Sequence, residues 1–136
     1  MKKYIFPVLI IFIISTIIAI SGCKESESNT EEYIITIDSI MHVDTLAFGE
    51  DLTLKFYGVI GIDGCYAFNN FEVYYSSLTL SVTTWGLYTK SEMCTQEVPY
   101  LNGETLLISD LPEGEISIEA IQADGSSLTR KVYVKK

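Results

Sequence analysis

The side chains able to do chemistry are few in this chain, and their spacing narrows what they do. There is one histidine, His42, and there are three cysteines, Cys23, Cys65 and Cys94, in a sequence with 18 acidic residues against 9 basic ones. His42 stands near Asp38 and Asp44 in a stretch between two apolar alternations, where it reads as a surface side chain rather than a general base. No serine has the glycine-flanked setting of a nucleophile elbow, so the hydroxyl-rich stretches offer no triad. The cysteines lack Cys-x-x-Cys spacing and have no histidine or lysine cluster beside them to lower a thiol pKa, which argues against redox chemistry. Glu31-Glu32 and Glu50-Asp51 are adjacent carboxylates, but neighbours on a strand point to opposite faces, so they read as solvated charge. No segment has the ligand spacing of a calcium-binding EF-hand. Gly58, Gly61 and Gly64 fall on a strand end and a turn, not between strand and helix where a phosphate is cradled. The expectation is a protein with no catalytic residue, no metal and no cofactor.

The setting of Cys23 is more informative. Lys2 and Lys3 open the chain, and an apolar run follows from Tyr4 to Ile20, broken only by Pro7, Ser15 and Thr16. That is the layout of an export signal. It is short and proline-bearing for a spanning helix, which wants about 20 apolar residues. The run ends in Ile20-Ser21-Gly22-Cys23, which resembles the lipobox of bacterial lipoproteins: an aliphatic residue, two small ones, then cysteine. The resemblance implies cleavage between Gly22 and Cys23, a diacylglyceryl group on the Cys23 sulfur, and acylation of the new amino terminus. Two or three acyl chains anchor durably where one binds only marginally. The lipid bilayer is then the first partner, and the bacterial envelope, most simply the outer membrane, is the location. A periplasmic and a surface-facing orientation both stay open.

Cleavage would lower the basic count to 7 against 18 acidic residues, a net charge of −11. Such a chain repels nucleic acid and anionic surfaces. Residues 23–32, with Lys24-Glu25-Ser26-Glu27-Ser28 at their centre, contain no apolar side chain after the cysteine and read as a disordered tether. With Cys23 assigned to lipid, Cys65 and Cys94 remain as an even pair in an exported protein, and a disulfide between them is expected. Two bonded cysteines and one histidine make no closed zinc site.

Residues 33–136 have the length of one domain and the texture of an all-β fold, with threonine, isoleucine, valine and aromatics alternating with polar residues between turn signals. Strands are predicted near 33–39, 51–60, 66–75, 78–89, 105–109, 115–123 and 127–134. Seven short strands suggest an antiparallel β-sandwich. The stretch Leu111-Pro112-Glu113-Gly114-Glu115-Ile116 followed by SIEAIQADG resembles the late strands of fibronectin type III and immunoglobulin-like modules, which implies an immunoglobulin-like architecture.

Register can be argued from the rule that opposed residues in an antiparallel pair share a face. A Ser76-Ser77 turn sets Phe71 against Val82 and Val73 against Leu80. In the last hairpin, a three-residue loop Ala123-Asp124-Gly125 with left-handed glycine pairs Ala120 with Leu128 and Ile116 with Val132. The first register also sets Phe68 against Trp85 and Tyr66 against Leu87 on the outward face. These four side chains form a candidate binding patch, either exposed or covered by the segment 89–101. The reading is a membrane-anchored, non-catalytic binding or structural module whose partner is an envelope protein or a glycan. A small protease inhibitor displaying loop 44–50 or 89–101 is the next class, and a hydrolase using clustered carboxylates the third.

Overall fold

The computed structural model describes residues 29–136. The expected export segment and lipobox, with Gly22 and Cys23, lie outside the described residues. Nine strands occur among the described residues: β1 (Thr30–Ile34), β2 (Ser39–Met41), β3 (Thr45–Ala47), β4 (Leu52–Val59), β5 (Tyr66–Ser76), β6 (Thr79–Thr89), β7 (Tyr100–Ile108), β8 (Gly114–Ile121) and β9 (Ser127–Lys135). No helix is present among the described residues, so none is long and apolar enough to cross a membrane.

The strands form a six-stranded and a three-stranded sheet in a sandwich-like arrangement, nine strands where seven were expected. In the larger sheet β6 is the hub. β5 pairs along one of its edges, while the other edge takes β1 antiparallel to its Trp85–Thr89 half and β8 parallel to its Thr79–Thr83 half. β8 continues into β9, and β3 closes that side in parallel. The smaller sheet is antiparallel, with β4 between β2 and β7. The larger sheet is therefore mixed rather than purely antiparallel, because β6–β8 and β3–β9 run parallel.

Period-two alternation builds the core. Leu52, Leu54 and Phe56 of β4 face Leu80 and Val82 of β6, Ile116, Ile118 and Ala120 of β8, and Val132 and Val134 of β9, all nearly solvent-free. The expected first strand divides in two because the chain changes sheets within it. Ile35 still bonds the larger sheet through its N–H to the Thr84 carbonyl, and Asp38 already bonds the smaller through the Tyr57 carbonyl. At the crossover the buried Gln122 side chain takes the place of a strand neighbour. Its Oε1 accepts the Ile37 N–H at 2.9 Å and its Nε2 donates to the Ile37 carbonyl at 3.2 Å. That satisfies a backbone that would otherwise be orphaned inside the protein.

Part of the stretch expected to be a disordered tether is strand. Thr30, Glu31 and Glu32 belong to β1, opposite Thr89, Tyr88 and Leu87. The strand predicted at 105–109 extends back to Tyr100, because a bulge opposite Phe56 and Tyr57 absorbs the Asn102-Gly103 turn signal.

Candidate binding site

The β5–β6 hairpin carries a cluster of exposed large apolar side chains, Val73, Tyr74, Tyr75 and Leu78, and its geometry depends on two local irregularities. Ser76 pairs with Thr79, so the two-residue turn is Ser77-Leu78, with Ser77 at a φ of 53°. The turn lies one residue beyond the expected Ser76-Ser77, and opposed residues shift by two, giving Val73 opposite Val82 and Tyr75 opposite Leu80. A two-residue shift preserves the faces. The second irregularity does not. Asn69 is an extra residue between Phe68 and Asn70, a bulge that turns the start of β5 over.

The bulge divides the four-residue patch. Phe68 now lies opposite Gly86 and Tyr66 opposite Tyr88, on the core side. Phe68 packs 5.0 Å from Phe71, which sits 4.7 Å from Phe56. Tyr66 meets Tyr88 at 4.8 Å and Tyr33, edge-on, at 5.4 Å. Trp85 and Leu87 stay on the outward face, opposite Asn70 and Ala67. No patch of Tyr66, Phe68, Trp85 and Leu87 forms. Glycine at 86 is required by this packing: a Cβ there would overlap the Tyr33 ring.

On the outward face Trp85 is held in place. Its Nε1 donates to Glu72 Oε2 at 2.8 Å, and Ile34 of β1 lies beside it in the register. Asn69 Nδ2 donates to Glu32 Oε1 at 3.0 Å across the strand that carries Leu87. An indole ring with carboxylate and amide neighbours results.

The tip of the hairpin is different. Val73 and Tyr75 have the parity of Phe71, yet they are 40% and 41% exposed, and Leu78 in the turn is 45% exposed. Their cross-strand partners Val82 and Leu80 are fully buried. The smaller sheet ends short of them, leaving an open apolar groove lined by Val73, Tyr75, Leu80, Ile108, Asp110 and Leu111. Partial burial there pushes the Tyr75 phenol up from its usual pKa. Tyr74, 69% exposed, stands on the opposite face of the same tip.

At the other end of β6, Cys65 and Cys94 are joined in a disulfide with Cα atoms 5.3 Å apart. Asp63 lies against both sulfurs, but a disulfide offers no thiolate, so the trio is not a metal site. Asp63 Oδ1 instead accepts the Cys65 N–H at 2.9 Å. The segment 90–99 is anchored here by Gly64 N–H to the Thr95 carbonyl and Ile60 N–H to the Pro99 carbonyl. It straps the 60–65 connection rather than lying over Trp85, and Met93 projects from it, 89% exposed. His42 sits in a shallow hollow with Met41, Val43, Thr53 and Lys55, its Nδ1 donating to the Val43 carbonyl.

The two ends have opposite roles in the chain path. Asn29 and Thr30 lie beside Lys90 and Thr89, so the first described residues stand at the disulfide end. The groove is at the other end of β6, whose 11 residues span roughly 33 Å.

No protein-family model matches the chain, and neither a curated protein nor a solved structure matches it.

Proposed function

We propose that this protein is a lipid-anchored, non-catalytic binding module of the bacterial envelope, held by acyl chains on Cys23 and presenting the β5–β6 tip, on a sandwich of immunoglobulin-like type, to a partner protein. The observation that carries the reading is polarity along β6: the chain departs toward Cys23 at one end, and Val73, Tyr75 and Leu78 are exposed at the other. A tether at one end holds the far end away from the bilayer, and an apolar cluster of that size on an exported, strongly acidic protein marks an interaction site. The lipobox supports the anchor.

Two measurements test it. Intact mass spectrometry of membrane-extracted protein is expected to give the acylated chain beginning at Cys23, with Cys23→Ser released to the aqueous fraction. A photo-crosslinking residue at Leu78 is expected to trap an envelope protein in whole cells, whereas one at Thr129, exposed on β9, traps none. Unacylated, equally soluble protein from both forms would remove the anchor.

A second reading is favoured by the fixed indole. Trp85, with Glu72, Glu32 and Asn69 about it, has the stacking surface and acceptors of a glycan site. Loss of binding to cell-surface polysaccharide in Trp85→Ala, with crosslinking at position 78 unchanged, would select it.

A further inference from the structure

We propose that the free edge of β5 takes up an extended strand of the partner protein, apolar on one face and basic on the other. The inference rests on the binding-module reading and specifies how the partner is held.

β5 pairs with β6 alone, and among the described residues no strand lies along its other edge. Three of the other edges are guarded by shortness: β1, β2 and β3 have five, three and three residues, whereas β5 has 11 and β7 nine. Long edges are ordinarily blunted by lysine or proline. β5 has neither, and its bulge at Asn69 disturbs only the end near the disulfide. From Phe71 to Ser76 the edge is regular, with one charge, Glu72. β7, bonded only to β4, ends in Ile108 across the same groove. Two free edges of opposed sheets thus border an apolar channel in which Val73 and Tyr75 face inward but lie open. One added strand would cover them, with main-chain bonds giving affinity and alternate side chains giving specificity.

Charge selects the occupant. No lysine or arginine occurs from Tyr66 to Thr89 or from Ser91 to Thr129. Glu72, Glu104, Asp110 and Glu113 are the charges on β5, on β7 and in the connection after it. Alternate residues of an added strand would point toward Val73, Tyr75 and Ile108, and those between toward the face of Glu72 and Tyr74. Apolar and basic residues in alternation satisfy both faces. A second copy of this chain would bring Glu72 and its acidic neighbours against their own kind, which disfavours self-pairing.

The test uses the full-length protein in detergent and a nine-residue peptide of alternating valine and lysine, with amide hydrogen exchange read residue by residue. The expected result is slowed exchange at Phe71–Ser76. Tyr75→Lys, and a peptide N-methylated at alternate residues, should each weaken binding by about tenfold or more, the size of one or two lost hydrogen bonds. Thr129→Ala, exposed on β9, should bind as the parent does. Unchanged exchange with peptide up to about 1 mM, equal binding of the N-methylated peptide, or protection of the same amides in a peptide-free dimer would each overturn the proposal. A crosslink at position 78 with unchanged β5 exchange would retire strand addition and keep the binding module. Absence of both would retire the two together.

Discussion

Tyr33 shows how one side chain ties three elements together. Its hydroxyl donates to the Ile60 carbonyl at 2.6 Å, its ring lies over Gly86, and Tyr66 meets it edge-on. Burial, reinforced by the neighbouring Tyr66 phenol, pushes its pKa up to about 12 from the usual 10.0. The folded state therefore favours the protonated phenol. The stability this contributes is fully present below pH 10 and is lost as pH rises toward 12. Tyr33→Phe should cost about 1 kcal/mol at neutral pH for the lost hydrogen bond. It should also flatten the alkaline fall in the urea midpoint between pH 10 and 12 relative to the parent. Thr84 makes the opposite case: its Oγ1 is fully buried with no hydrogen-bond partner among the described residues. Thr84→Val should raise stability by about 1 kcal/mol in urea unfolding, because a desolvated hydroxyl is replaced by a methyl of similar size. The alternation around position 84 marks it as inward-facing, but an orphaned hydroxyl is known only once every neighbour is placed.

At the scale of elements, the disulfide closes a loop between residues 29 apart in sequence. On the chain-entropy account, replacing both cysteines by serine should cost about 3.5 kcal/mol, seen in urea unfolding and reproduced when the parent is reduced. The bulge is the more sensitive element. Deleting Asn69 would straighten β5 and point Phe68 and Tyr66 outward, stripping the Phe71 and Tyr88 contacts from the core side. We expect a loss of at least about 3 kcal/mol, comparable with truncating a buried aromatic residue, with greater dye binding to exposed apolar surface. The last hairpin was legible in detail. Ala120 does pair with Leu128 and Ile116 with Val132, around a loop with Gly125 at a φ of 82°. A two-residue Asp124-Gly125 turn would set Ile118 against Lys131 and waste the face of Ile116, Ile118 and Ala120, so local pattern sufficed. The first hairpin kept its faces near the turn, yet one extra asparagine reversed them eight residues away. Nothing in Phe68-Asn69-Asn70 announces a bulge, since asparagine also occurs in plain strands.

Across the whole molecule, the reading turns on where the chain leaves the sandwich and where it is open. Lengthening the tether by a glycine-serine insertion after Ser28 should leave crosslinking at Leu78 intact, because the groove already lies a full strand length from the exit point. Shortening it should reduce crosslinking first. On the proposed anchor and partner, that experiment would measure how far the partner stands from the bilayer, independently of its identity.

The sequence by itself determined the all-β class, most strand positions, the inward faces of β8 and β9, the pairing of Cys65 with Cys94, and the expectation of an anchor. These follow from composition, from alternation with a period of two, and from motifs a few residues long, all of which are local. Strand order, the parallel pairs that make β6 a hub, the division of the predicted aromatic patch and the open groove at the β5–β6 tip were decided only by the tertiary structure. Each depends on which distant strands share an edge and on how far one sheet overhangs the other, and those are sums of long-range contacts that no short stretch of residues encodes.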